Sequence, residues 1–224
     1  MHAAIKKAVG YLAAELIEEG MLVGLGTGST AFFFIERLAQ RCKEGLKIRA
    51  VASSEHSKAL AMQGKIPLID INRVTTVDIT VDGADEVDPK KRLIKGGGGA
   101  HVREKIVAAM SRELVIIIDE SKRVTALGKC KLPVEILPFA HQATMRHMQK
   151  GGYQGQLRMT GANQPFLTDN QNLIVDIHFT HLLDEPEKEH ETLLHIPGVV
   201  DTGFFFNLTG RVITGFSDGQ IVIN

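Results

Sequence analysis

Four short stretches of this 224-residue chain carry residue types whose spacing could do chemistry. The first is Gly24-Leu25-Gly26-Thr27-Gly28-Ser29-Thr30, which follows the apolar run Met21-Leu22-Val23. Glycines let a backbone approach an anion, and the N–H groups at a helix start carry partial positive charge. Ser29 and Thr30 add hydroxyl donors, a set that suits a phosphate monoester. A dinucleotide fingerprint would need a third glycine where Ser29 stands, and an acidic ribose ligand where the next strand ends in Ser53 and Ser54. A nucleotide P-loop would need a terminal Gly-Lys-Ser/Thr, which is missing. The plain alternative is a glycine-rich turn with a helix cap; a small phosphate is the reading preferred here.

The second stretch is Asp82-Gly83-Ala84-Asp85-Glu86, with Asp88 beyond. Clustered carboxylates repel one another, so a solvated loop is the bland reading. Delivery by the alternating run Val77 to Val81 favours a functional one, in which carboxylates bind sugar hydroxyls, move protons or ligate a metal. A metal site would call for histidine or further regularly spaced acids, and this stretch has no histidine. The third stretch is Lys95-Gly96-Gly97-Gly98-Gly99, followed by Glu104-Lys105. Four consecutive glycines carry a large entropic penalty; a flexible surface loop is one reading, but bracketing by Lys95 and Glu104 suggests backbone donors packed around a ligand. Glu104 falls about one turn into the next helix, so its side chain can face back to the strand ends. The fourth is Asp119-Glu120-Ser121-Lys122, where Lys122 is either an ordinary exposed lysine or a second cation for a phosphate.

Each stretch follows a predicted strand, and in an open α/β sheet ligands bind beyond the carboxyl ends of the strands. The elements behind them are legible in the pattern. Helical spacing runs through Ile5, Val9, Leu12 and Leu16 to a cap at Gly20, then from about Thr30 to Cys42. Strands are predicted at Ile48 to Ala52, Ile66 to Ile69, Val77 to Val81 and Leu114 to Ile118, with a Ser53- or Ser54-capped helix ending at Gly64 and another through Val102, Ile106 and Met110. Alternating strands and helices mean a mostly parallel sheet flanked by helices. After about Lys131 the texture changes. Strands at Val134 to Leu137, Gln156 to Met159 and Leu173 to Phe179, helices at His141 to Lys150 and Glu185 to His195, and a hairpin signal at Asp169 to Asn172 predict a smaller α+β domain of antiparallel strands. A closing hairpin, Arg211 to Ile213 with Ile221 to Ile223, returns to the first domain. The division is therefore 1–130 plus 203–224 for the α/β domain and 131–202 for the small one.

Composition narrows the class. Hydrophobic residues are 44% and charged residues 23%, as in a folded globular chain. Lys plus Arg and Asp plus Glu are both 26, so no net charge steers the chain to nucleic acid or an anionic membrane. No apolar run approaches the ~18 residues of a membrane span. The start of the chain, with Lys6 and Lys7 in an amphipathic pattern, does not read as a signal peptide, and Cys42 and Cys130 fit neither a zinc pattern nor a disulfide framework. A cytoplasmic protein is expected. The kit as a whole (phosphate cradle, carboxylates, two lysines, no Ser-His or Cys-His pair) suits proton transfer next to the carbonyl of a phosphorylated sugar.

Taken in order, these stretches resemble the type A ribose-5-phosphate isomerase family. The resemblance rests on Val23 to Ala31, Val81 to Glu86, Ile94 to Ala100, Arg103-Glu104-Lys105 and Ser121-Lys122, and extends to Leu132-Pro133-Val134-Glu135 and Ile196-Pro197-Gly198-Val199-Val200. It covers almost the whole chain; each motif alone is weak, but five in order are specific. It implies interconversion of ribose 5-phosphate and ribulose 5-phosphate in the non-oxidative branch of the pentose phosphate pathway, through an enediolate, with no cofactor and no metal. By similarity Thr27, Gly28, Ser29 and Thr30 bind substrate, as do Asp82, Gly83, Ala84 and Asp85, and Lys95, Gly96, Gly97 and Gly98. Glu104 matches the proton acceptor, Lys95 and Asp82 complete the expected catalytic set, and Lys122 matches a further substrate contact. Lys6 is a looser phosphate candidate. Family members are homodimers or tetramers, so a sugar phosphate and a second copy of the chain are the expected partners. The stretch from about Gly151 to Glu191 departs most from the family in composition.

Three rival readings share parts of this kit. A sugar-phosphate sensor would demand a DNA-binding segment, yet the first helix leads directly into a sheet strand. An acyl-CoA transferase of similar architecture would use a glutamate nucleophile and exchange thioesters. A metal-dependent isomerase could draw on His178, His181, His190 and His195, but these read as surface residues of the antiparallel region.

Overall fold

The computed structural model describes residues 2–224 and groups them into two compact units. The first comprises 2–84, 103–123 and 207–224; the second comprises 85–102 and 124–206.

The first unit is built on a six-stranded sheet. Its strands are β1 (Leu22–Leu25), β2 (Arg49–Ala52), β3 (Ile79–Asp82), β6 (Leu114–Asp119), β12 (Thr209–Gly215) and β13 (Ile221–Ile223). They lie in the order β13-β12-β6-β3-β1-β2, and every pairing is parallel except that of β13 with β12. The mostly parallel sheet expected from the sequence is therefore present, and the closing hairpin joins it. Strand alternation sends Val23, Ala50, Ile79, Val81, Val115, Ile117 and Ile213 into one core, where α1 (His2–Ala14) adds Val9 and Ala13 and α2 (Ser29–Lys43) adds Phe34 and Leu38. Their neighbours Leu22 and Val51 face the other way and meet Val107 of α4 (His101–Ala109). With both faces covered, β6 is buried along its full length.

Two expectations change. Ile66 to Ile69 pairs with the sheet only through a bridge from Leu68 to Ala50, because Pro67 lies inside the run and has no N–H to give a ladder. The first helix ends at Ala14, not at Gly20; the chain turns through residues 15–20, and the Gly20 N–H donates to the Lys47 carbonyl at 2.8 Å. The helix α3 (Glu55–Gly64) is capped by Ser54, whose Oγ accepts from the Ser57 N–H.

The second unit holds a four-stranded antiparallel sheet ordered β10-β7-β9-β8 from β7 (Leu132–Ile136), β8 (Gly155–Leu157), β9 (Leu173–Ile177) and β10 (Val199–Thr202). The helices α5 (His141–Lys150) and α6 (Pro186–Leu194) belong to it, and Val134, Val175, Met148 and Leu193 share its core. A three-stranded sheet, β11-β5-β4, joins β4 (Glu86–Val87), β5 (Leu93–Ile94) and β11 (Phe204–Phe205). These pairings explain why 85–102 groups with the second unit, whereas the sequence division places it with the first. His190, read as a surface residue, is half-buried: its Nδ1 lies 2.7 Å from the Thr202 hydroxyl and its ring packs edge-on to Phe204 and Phe206.

Candidate active site

In the first unit the glycine loop leaves β1 and starts α2. Asp82, at the end of β3, is 1% exposed, and its Oδ1 accepts from the Thr27 N–H (2.9 Å) and the Gly83 N–H (2.8 Å). The approach is possible because residue 26 is glycine, since a Cβ there would fall 2.2 Å from that same oxygen. The Thr27 hydroxyl turns inward to Ser53, Ser54 and Ser57, at 2.9, 2.8 and 3.1 Å. Ser53 and Ser57 in turn donate to the carbonyls of Leu25 and Gly26. Thr27 thus fixes the loop through both its N–H and its hydroxyl.

What the loop presents outward lies one residue further on. Gly28 and Ser29 are exposed at the start of α2, with Gly28 at φ 113, and Thr30 is buried behind them. The Ser29 hydroxyl accepts from Lys6 Nζ at 2.9 Å. Lys6, Gly28, Ser29 and His56, with Ala3, Phe32 and Phe33, line an open groove of about 530 Å³. Helix N–H groups, a hydroxyl and an ammonium around such a groove make a cradle for a dianion.

Glu104 is carried by α4. That helix ends only four residues before β6, a strand parallel to β3, so its first turn must lie toward the carboxyl ends of the strands. Glu104 stands one turn before the sheet-packed Val107, on the same helix face, and is 4% exposed. Its neighbour Arg103 donates to Glu55 at 3.1 Å, and hydrogen bonds from Lys58 and then Arg103 hold Glu55 below the ordinary carboxylate range. At the end of β6, Asp119 caps a short turn by accepting from the Ser121 N–H at 3.0 Å, and Lys122 sits half-buried on that turn.

The remaining candidates belong to the second unit. Lys95 is 3% exposed; its N–H donates to the Gly203 carbonyl at 2.8 Å and its ammonium lies 5.4 Å from the centre of the Phe205 ring. Asp85 Oδ2 accepts from the Gly97 N–H at 2.8 Å, so this carboxylate, expected to touch sugar, also holds the tetraglycine loop. Gly97 and Gly98 are the loop's exposed tip, whereas Ala84, the residue before Asp85, is half-buried at the end of a first-unit segment. Glu86, 2% exposed, accepts from the backbone N–H groups of Gly128 (2.8 Å) and Cys130. Its role is to hold the start of the segment leading to β7.

The structure thus brings Thr27 to Thr30, Asp82, Gly83, Glu104 and Lys122 into one unit, and Asp85, Lys95 and Gly96 to Gly98 into the other. Sequence reasoning missed Ser57, whose only signal is its place three residues after the cap at Ser54, and the anchoring role of Glu86. Among the described residues no three His, Cys, Asp or Glu side chains converge as a metal ion would require.

A parallel α/β sheet with an anion cradle and buried acids beyond its strand ends defines a protein that takes a small phosphorylated ligand at that edge. The comparisons narrow the class to one family. The family model described as ribose 5-phosphate isomerase A (phosphoriboisomerase A) matches residues 49–219. A ribose-5-phosphate isomerase A from Protochlamydia amoebophila is 46% identical over 97% of this chain and 94% of its own, and one from Bacillus thuringiensis is 51% identical over 96% and 97%. Among solved structures, ribose 5-phosphate isomerase from Plasmodium falciparum superposes with a TM-score of 0.96 at 37% identity, over 99% and 98% of the two chains. A D-ribose-5-phosphate isomerase in complex with phospho-erythronic acid gives 0.95 at 36%, over 100% and 99%. The chain belongs to the ribose 5-phosphate isomerase A family.

Proposed function

We propose that this chain interconverts D-ribose 5-phosphate and D-ribulose 5-phosphate. The observation that carries the reading is the anion cradle at Gly28, Ser29 and Lys6 in the same unit as two buried acids, Asp82 and Glu104. Relatives bear the isomerase name over nearly the whole chain, and one solved relative holds phospho-erythronic acid, a phosphorylated sugar acid. Its carboxylate carries two oxygens on one trigonal carbon and so resembles one end of an enediolate.

In this mechanism the phosphate sits against the start of α2, with Ser29, Thr30, Lys6 and Lys122 as its donors. The Glu104 carboxylate removes the C2 proton of the open-chain aldose. The electron pair forms the C1–C2 double bond, and negative charge moves to the carbonyl oxygen at C1. Lys95 and the N–H groups of its glycine loop stabilise that oxyanion. Asp82 relays the hydroxyl proton from O2 to O1, and Glu104 then returns its proton to C1, leaving the ketose. Asp85 positions the sugar and the loop together. The proton balance closes without an external oxidant or a cofactor, and we assign no metal to the reaction.

No helix among the described residues is long and apolar enough to cross a membrane. We place the enzyme in the cytoplasm, as a homodimer, on the family resemblance.

The test is formation of ribulose 5-phosphate from ribose 5-phosphate by purified protein after exhaustive chelation. Turnover at the untreated rate is expected. No isomerase activity with or without divalent ions would overturn the reading, and restoration only by a divalent ion would overturn its metal-free part.

A further inference from the structure

Four glycines in a row have no side chains with which to hold themselves, and ordering each backbone costs conformational entropy. The loop Gly96 to Gly99 is nonetheless tightly turned: Gly96 and Gly99 have φ of 103 and 82, and the Gly99 N–H donates to the Gly96 carbonyl at 3.0 Å. Something outside it must fix it. Asp85 takes the Gly97 N–H. The opposite hold comes from Arg158, just past β8, whose Nη1 donates to the carbonyls of Gly96 (3.1 Å) and Gly97 (3.2 Å).

Arg158 is itself fixed. Its Nε donates to Asp176 Oδ2 at 3.0 Å and its Nη2 to Oδ1 at 2.5 Å, a two-pronged pair in which both side chains are 9% exposed. Lys131 adds a third contact to Asp176 at 2.6 Å. The guanidinium lies 5.7 Å from the centre of the Phe166 ring, and that ring also fills the space over Gly99, where a Cβ would meet it at 2.5 Å. A buried ion pair of this kind is weak support for stability, because its desolvation offsets its attraction. Its geometry serves another purpose. In a planar trans peptide the C=O and N–H point in opposite directions. Pulling the Gly96 and Gly97 carbonyls toward Arg158 therefore turns the Gly97 and Gly98 N–H groups away from Arg158, and Asp85 takes the first of them.

We propose that Arg158, braced by Asp176, is a positioning residue for the isomerisation: by holding the carbonyls of Gly96 and Gly97 it keeps the Gly97 N–H on Asp85 and sets the direction of the Gly98 N–H, which stabilises the enediolate. Its charge also polarises those peptides, which strengthens them as donors. The proposal rests on the isomerase reading and names a group that does not touch the sugar.

The test compares Arg158→Met, Arg158→Lys and Arg158→Gly with the native enzyme in ribose 5-phosphate isomerisation, after cooperative thermal unfolding of each variant has been verified. Arg158→Met should lose at least tenfold in kcat while KM stays within about threefold. Lysine keeps the charge but cannot grip two carbonyls and a carboxylate together, so Arg158→Lys should recover only part of the rate. Millimolar guanidinium, but not ammonium, should raise kcat of Arg158→Gly saturably, which a general loosening of the fold would not allow. A folded Arg158→Met with kcat within twofold of native, or an Arg158→Gly that guanidinium does not rescue, overturns the proposal. If neither the Met nor the Lys variant folds, the residue is structural and the proposal falls. A native protein with no isomerase activity would instead sink the functional reading beneath it.

Discussion

The Asp82 carboxylate occupies the space that a side chain on Gly26 would need. A Cβ at residue 26 would lie 2.2 Å from Oδ1, 2.4 Å from Cγ and 2.5 Å from the Asp82 Cα. The glycine therefore does more than admit an anion. It lets the end of β3 close against the loop after β1, so that one carboxylate oxygen can take the N–H groups of Thr27 and Gly83. Gly26→Ala must push the carboxylate or the strand end aside. A loss of about 1–3 kcal/mol in stability is expected from the overpacking, with kcat reduced tenfold or more. Urea unfolding and initial rates on the same preparation check both.

The phosphate cradle gives a second prediction. Ser29 is exposed at the first turn of α2 and takes a hydrogen bond from Lys6. Ser29→Asp keeps an acceptor for Lys6 and places a negative charge at the helix start, which favours the helix. The fold should survive, while KM for ribose 5-phosphate should rise by at least tenfold because two anions then compete for one set of donors. An unchanged KM, or unchanged inhibition by other sugar phosphates, would place the phosphate elsewhere.

The parts of this site that the sequence shows are those a single segment can carry. The glycine loop, the acids at and after the end of β3, the lysine before the glycines and the alternation of strands with helices all follow from local period and turn chemistry. Helix α5 falls at His141 to Lys150 as its spacing predicts. What could not be read is what non-local pairing decides. Nothing local says that Thr27 turns its hydroxyl toward Ser53, Ser54 and Ser57 around the start of α3, or that a two-residue strand at Glu86 pairs with Leu93 and Ile94, and those in turn with Phe204 and Phe205. That pairing moves 85–102 into the second unit. Arg158, just past β8, and Asp176 on β9 lie 18 residues apart, and only the β8–β9 register makes them neighbours.

A third prediction concerns acid stability. Burial pushes the Asp176 carboxyl up, but hydrogen bonds and charge from Arg158 and Lys131 outweigh it and hold the group below the ordinary carboxylate value. A carboxyl whose folded pKa is depressed stabilises the fold above its unfolded pKa of about 3.9, and that contribution is lost as pH falls through the lower folded value. Asp176→Asn should therefore be less stable than native at pH 7 and equally so at pH 5. The gap should narrow below about pH 4. Urea unfolding across this range checks it, and a gap that widens in acid would reverse the assigned shift.

The last prediction tests the base itself. Glu104 is buried on the sheet-facing side of α4, in the first turn of that helix. Glu104→Gln preserves the size and much of the hydrogen bonding but removes the basic oxygen. General-base losses are on the order of 10²–10⁴-fold, so kcat should fall by at least the lower figure. KM should change much less, because none of the proposed phosphate donors, Ser29, Thr30, Lys6 and Lys122, lies on α4. A purely electrostatic role for Glu104 would also lower kcat, so the rate alone cannot distinguish the two. Isotope exchange can. In deuterated water the native enzyme should place deuterium on the reacting sugar carbon during turnover, since a carboxylic acid exchanges its proton with solvent while the enediolate waits. Glu104→Gln should nearly abolish that incorporation. Exchange persisting at close to the native rate would mean that another group takes the C2 proton, and Asp82, pinned by two N–H groups at the end of β3, would be the residue to replace next.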